Sequence, residues 1–236
     1  MTAFSATPER IISTLERFPV HIQRQFLIDR MDMYLGHGFL PDGNGGFRII
    51  HIDNPEEAAE LLQFKLNGLK KCKNVHQIFW FINKPDRLQV LQFLTGVYIF
   101  TKEDYAELLR DAWISTEFPH QMPNAKLIRM FESADRHALM TDDEHKALDI
   151  LPDAIPVYRG YSETNVRKGM TKRRGLSWTL DKEKAIWFAK RWSHSDAKLL
   201  SATASKTDVY IYTNVRGEQE LVVNPKKLKK VKEIWV

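Results

Sequence analysis

From residue 155 to the end, the chain spells six short apolar runs separated by turn-forming and charged residues, an arrangement that leaves few choices of fold. The runs are IPVYR, GLSWT, KLLSAT, DVYIYT, QELVVN and KEIWV. Most are rich in β-branched or aromatic residues, as strands are. One helical segment, LDKEKAIWFAKRW, interrupts them: Asp181 stands at its N-cap, and Ala185, Phe188, Ala189 and Trp192 recur at i, i+3, i+4 and i+7. The first 150 residues carry the other period. Helical spacing runs through PERIISTLERF, VHIQRQFLIDRMDMYL, PEEAAELLQFKLNGL and DRLQVLQFLTGVYIF, and Thr101 and Thr141 stand three residues before Asp104 and Glu144 as N-terminal caps. GHGFLPDGNGG holds five glycines without the phosphate-loop pattern, so it reads as a loop and turn before the strand FRIIHI. The expected fold is α+β, with a mainly helical region over 1–150 and a β-rich region over 151–236. The region after residue 150 is short, so helices from the first region are expected to pack on its sheets as one unit.

Three motifs in the β-rich region carry chemistry. Arg159 follows Ile155, Val157 and Tyr158 in VYRGY, where an arginine at a strand end can offer its planar fork to a pyrophosphate. Ser177 and Thr179 lie two apart in GLSWT, so in an extended chain their hydroxyls share a face and can orient a ribose or a carboxylate. Glu218 and Glu220 precede Leu221, Val222 and Val223, which places both carboxylates on one face at the start of a buried strand. Taken singly, such an arginine is usually a surface charge and such a glutamate pair a solvated face. Together and in this order they suit cleavage of the bond between nicotinamide and ribose in NAD. Nicotinamide leaves with the bonding electrons, the ribose carbon gains oxocarbenium character, and a fixed carboxylate stabilises it while a second takes a proton from the nucleophile.

This constellation resembles the R-S-E, or cholera-toxin-like, class of mono-ADP-ribosyltransferases, whose pattern is an aromatic-Arg strand, a Ser-x-Thr/Ser strand and a Glu-x-Glu or Gln-x-Glu strand. The resemblance covers about residues 155–224. It implies a compact two-sheet NAD-binding core and NAD as co-substrate. Arg159 becomes the NAD-binding arginine, Gly160 lets its backbone meet the nicotinamide amide, Ser177 and Thr179 form the serine motif, Glu220 is the catalytic glutamate and Glu218 activates or orients the acceptor. An aromatic on the following helix lies near the nicotinamide ring in the class, with Phe188 the first candidate, Trp187 the second, and plain core packing the alternative. Trp178, between the two hydroxyl residues, is bulkier than the usual occupant and alters the expected pocket.

The charge is uneven along the chain. Residues 1–150 carry 17 Lys and Arg against 21 Asp and Glu, whereas 151–236 carry 18 against 9. The excess gathers in Arg167, Lys168, Lys172, Arg173 and Arg174 and in Lys226, Lys227, Lys229, Lys230 and Lys232. Such clusters suit RNA or DNA as acceptor, an acidic protein partner such as an antitoxin, or a solvated surface. The basic excess tips the expectation towards a nucleic acid, while Glu-x-Glu in the class is associated with protein arginine. A non-catalytic nucleic-acid-binding module is the reading from another class. The single cysteine, Cys72, excludes an internal disulfide. The eight histidines show no zinc-ligand spacing, so no metal is expected. No apolar run is long enough to span a membrane and MTAFSATPERIISTLERF does not read as an export signal, so the expected compartment is the cytoplasm. These features suit an intracellular effector such as the toxin of a toxin–antitoxin or phage-defence system.

Overall fold

The computed structural model describes residues 4–116, 122–191 and 195–235. They form two compact units, 1–104 and 105–236. No helix among the described residues is long and apolar enough to cross a membrane.

The first unit is helical with small sheets. Its helices are α1 (Pro8–Glu16), α2 (Val20–Leu27), α3 (Arg30–Leu35), α4 (Pro55–Leu69), α5 (Val75–Phe81) and α6 (Arg87–Thr95), and its strands are β1 (Phe4–Ser5), β2 (His37–Pro41), β3 (Phe47–His51) and β4 (Tyr98–Ile99). The single helix expected over 20–35 is two. Ile28 turns extended after α2, and the Asp29 side chain then caps α3 by accepting from Met31 N at 2.7 Å. Gly36, at φ 73°, ends α3 in the left-handed conformation that glycine adopts without penalty. The expected helix through residue 100 also stops early, and Tyr98–Ile99 pair instead with Phe4–Ser5. Asp42 organises the glycine loop into a hairpin turn, its carboxylate accepting from Asn44 N at 2.8 Å and Gly46 N at 2.9 Å.

Helix α7 (Lys102–Ser115) leads into the second unit, followed by α8 (Asn124–Ser133) and α9 (Asp142–Ile150). Both expected caps form: Thr101 Oγ1 accepts from Asp104 N at 3.0 Å, and Thr141 with Glu144 closes a capping box. Then come β5 (Ala154–Ser162), α10 (Glu163–Arg167), β6 (Ser177–Thr179), α11 (Lys182–Lys190), β7 (Ala197–Ser205), β8 (Val209–Thr213), β9 (Glu220–Val223) and β10 (Lys229–Trp235). The unit boundary thus places most of α7, with α8 and α9, beside the β-rich region, whereas a division at residue 150 separates them. Arg110 ties α7 to α9 by donating to both carboxylate oxygens of Glu144 at 3.0 Å.

All six expected strands are present, in one antiparallel sheet of order β10-β7-β5-β6-β9-β8 rather than in two. The join at its centre is narrow. Strand β5 pairs with β7 along its whole length, from Ala154 opposite Ser205 to Ser162 opposite Ala197, but meets β6 only where Tyr158 faces Thr179. Ile155, Val157, Trp178, Leu200, Leu221 and Val223 are buried in one core cluster. Removing the Trp178 indole from that cluster would cost about 3–5 kcal/mol.

Candidate functional site

The narrow join has a cavity beside it. Its volume is about 310 Å³, within the range of small-molecule sites, and Arg159, Gly160, Ser177, Thr179, Phe188, Glu218 and Glu220 all line it. The sheet order brings Arg159, Gly160, Ser177, Thr179 and Glu220 together, because β5, β6 and β9 are consecutive neighbours, and α11 adds Phe188. Thr179 pairs with Glu220 and Ser177 with Val222, so the two hydroxyls and the Glu220 carboxylate stand on one face. Trp178 pairs with Leu221 on the other face, is 2 % exposed, and donates its indole N–H to the Gly175 carbonyl at 3.0 Å. Its bulk belongs to the core.

Glu220 is 5 % exposed. Burial pushes its carboxyl above the usual glutamate range, and the Glu218 charge adds to the rise; the Ser177 hydroxyl, the Arg216 cation and the Trp113 indole oppose it. Trp113, on α7, donates Nε1–H to Glu220 Oε1 at 3.2 Å. Packing positions that indole: its ring meets Phe131 of α8 edge-on at 5.3 Å, and Phe131 stacks on Tyr210 of β8 at 5.4 Å.

The glutamate pair is not a strand pair. Strand β9 begins at Glu220, and Gln219 before it has φ 44°, in the left-handed region, so Glu218 lies outside the period-2 pattern. Arg216 holds the two carboxylates near each other instead, its Nη2 lying 3.2 Å from Glu218 Oε2 and 4.0 Å from Glu220 Oε2.

Arg159 also differs from expectation. Its fork is engaged by the chain: Nε and Nη2 donate to the Lys172 carbonyl at 3.3 and 2.9 Å, Nη2 to Thr171 Oγ1 at 3.3 Å, and Nη1 to the Ser177 carbonyl at 2.7 Å. Burial lowers its pKa to about 10, against the pull of Glu220, so it stays cationic at neutral pH. Arg159 therefore fixes the 171–177 segment and lends the cavity its charge. Arg159→Lys keeps the charge but cannot reproduce the planar fork, and is expected to lower stability by about 1–3 kcal/mol. Thermal denaturation checks this; an unchanged melting temperature would show that the fork does not hold the 171–177 segment.

Thr179 uses its hydroxyl internally, donating to the Glu218 carbonyl and accepting from Asp181 N, so it positions the glutamate loop. At Gly160 the close neighbour is α11: a Cβ there would lie 1.7 Å from the Ala185 carbonyl oxygen. Asp181 caps α11 as expected, and Ala185 and Ala189 are buried. Phe188 lines the cavity, whereas Trp187 is 53 % exposed; Trp192 lies outside the described residues.

The basic clusters are partly committed elsewhere. Lys172 donates to the Met122 carbonyl, Arg173 pairs with Glu163, and Lys227 pairs with Asp208 at 2.9 Å. Counted over 105–236, the charge is 23 Lys and Arg against 18 Asp and Glu, a net of +5 rather than the +9 of 151–236, because α7 to α9 are acidic.

Sequence reasoning missed Trp113, Arg216 and Asn124. Trp113 looks like one more apolar helix position, and Arg216 like a loop charge. Asn124 lines the cavity, and its Oδ1 is buried without a hydrogen-bond partner among the described residues. No group of three or more His, Cys, Asp or Glu suited to a metal ion occurs among the described residues. No family model, curated protein or solved structure matches the chain.

Proposed function

We propose that residues 105–236 form an NAD-dependent mono-ADP-ribosyltransferase that releases nicotinamide and transfers ADP-ribose to a guanidinium of a macromolecular acceptor. The observation that carries this reading is the convergence of three separate motifs on adjacent strands around one buried carboxylate. Glu220 stabilises the positive charge that develops on the ribose carbon as nicotinamide departs. Ser177 and Trp113 hold that carboxylate in place, so little reorganisation is needed during the reaction. Phe188 and Tyr158 supply aromatic surface in the cavity, and the Asn124 carbonyl offers an acceptor to an amide or a ribose hydroxyl.

Glu218 stands nearer the rim, with its side chain 20 % exposed against 6 % for Glu220. It takes a proton from the acceptor. That its carboxylate already binds a guanidinium, that of Arg216, supports protein arginine as the acceptor over a nucleic-acid base, as does the engagement of Lys172, Arg173 and Lys227 with the protein itself.

The purified chain is expected to release nicotinamide from NAD and to modify a small guanidine probe such as agmatine. Folded protein that leaves NAD intact would overturn the proposal in favour of a non-catalytic nucleic-acid-binding module. Glu218→Gln should lower transfer to agmatine roughly a hundredfold, the low end of general-base effects, and lower NAD hydrolysis far less. Equal loss of both would deny Glu218 its acceptor-side role.

A further inference from the structure

The cavity contains a guanidinium of its own. Arg216 sits in the loop between β8 and β9, and its Nη2 contacts Glu218 and approaches Glu220. The loop is a built turn: Gly217 N donates to the Asn214 carbonyl at 3.0 Å, Gln219 N donates to Asn214 Oδ1 at 3.1 Å, and Gly217 at φ 65° and Gln219 at φ 44° both take the left-handed conformation. Arg216 is therefore presented to the two carboxylates by the backbone, with its side chain 40 % exposed at the cavity rim.

An acceptor for this reaction must meet two conditions. Its proton must lie within reach of Glu218, and its nitrogen must lie beside the ribose carbon that Glu220 stabilises. Arg216 meets the first directly and approaches the second without any docking step, which gives it a large effective concentration over an external arginine.

We infer that Arg216 is a self-modification site, its guanidinium receiving ADP-ribose in cis from NAD bound in the same cavity. This rests on the transferase reading above. The bond between the ribose carbon and the nicotinamide nitrogen breaks, and its electron pair leaves with nicotinamide. A bond forms between that carbon and a terminal nitrogen of Arg216, and the proton released by the guanidinium passes to the Glu218 carboxylate. The products are nicotinamide and ADP-ribosyl-Arg216, with no further reactant required. Modified Arg216 then fills the acceptor side, so transfer to external guanidines declines as the mark accumulates.

The test is incubation of the purified full chain with NAD, followed by intact mass and peptide mapping. The expected result is one ADP-ribosyl group on the peptide that contains Arg216, in a fraction at fixed time that does not change on dilution of the protein. Arg216→Lys, which keeps a cation beside the glutamates, should lose that mark, and so should Glu220→Gln. Nicotinamide release with no mark at Arg216, or with marks only on other residues, overturns the inference and leaves the transferase reading standing. A mark that forms more slowly on dilution overturns transfer in cis. Intact NAD in the presence of folded protein overturns both.

Discussion

Glu220→Gln is expected to lower nicotinamide release and ADP-ribose transfer together by about two to three orders of magnitude while leaving NAD binding largely intact. Glutamine keeps the size and an oxygen for the Trp113 N–H but removes the negative charge from the developing cation. The pH dependence follows from burial. In the proposed mechanism the ionised form is the active one, so the acid limb of the wild-type rate profile should rise through a value above the ordinary 4.5 of a glutamate. The stability effect has the opposite sign. A carboxyl that holds its proton more tightly in the folded chain contributes stability below its unfolded pKa, and that contribution is lost as pH rises through the folded value. Burying Glu220 thus costs stability above its unfolded pKa, and the glutamine variant should melt no lower than wild type at neutral pH. Rates of release and melting curves across pH check both points; near-normal release by folded Glu220→Gln would remove the mechanism.

Gly160→Ala should produce the largest loss of stability among single-methyl changes near the site. The added Cβ would meet the Ala185 carbonyl oxygen at 1.7 Å and the Ala189 nitrogen at 2.8 Å, and both atoms are backbone. A side chain could rotate away, but here α11 itself must retreat from β5. The expected cost is about 3 kcal/mol, at the upper end of overpacking effects. That corresponds to a fall in melting temperature of roughly 6–12 °C for a chain of this size. Because α11 carries Ala185 and Phe188 into the cavity, the proposed function predicts that NAD affinity falls with it. A variant that melts like wild type would show that α11 does not ride on β5 at this spacing.

How far the sequence reached depends on the range of the interactions involved. The six strands were legible because apolar, β-branched runs read the same wherever they pack, and the caps at Thr101, Thr141 and Asp181 because each acts within three residues of itself. The break between α2 and α3 is hidden because apolar spacing continues across it, and only the capping side chain of Asp29 marks it. The glutamate pair reads as regular strand because nothing in Glu-Gln-Glu shows that Gln219 turns left-handed.

The sequence alone determined which residues to look for together: Arg159, Ser177, Glu218 and Glu220 line one cavity. The tertiary structure decided how each is used. Strand order depends on long-range packing, and placing β6 between β5 and β9 made neighbours of motifs far apart in the chain. The partner of Glu220 that most shows this is Trp113, 107 residues away, whose apolar ring reads locally as core. Folding buries the Glu220 carboxylate beside that indole and puts Arg216 against both glutamates, and charge taken out of water by distant chain is what a local pattern of residues cannot encode.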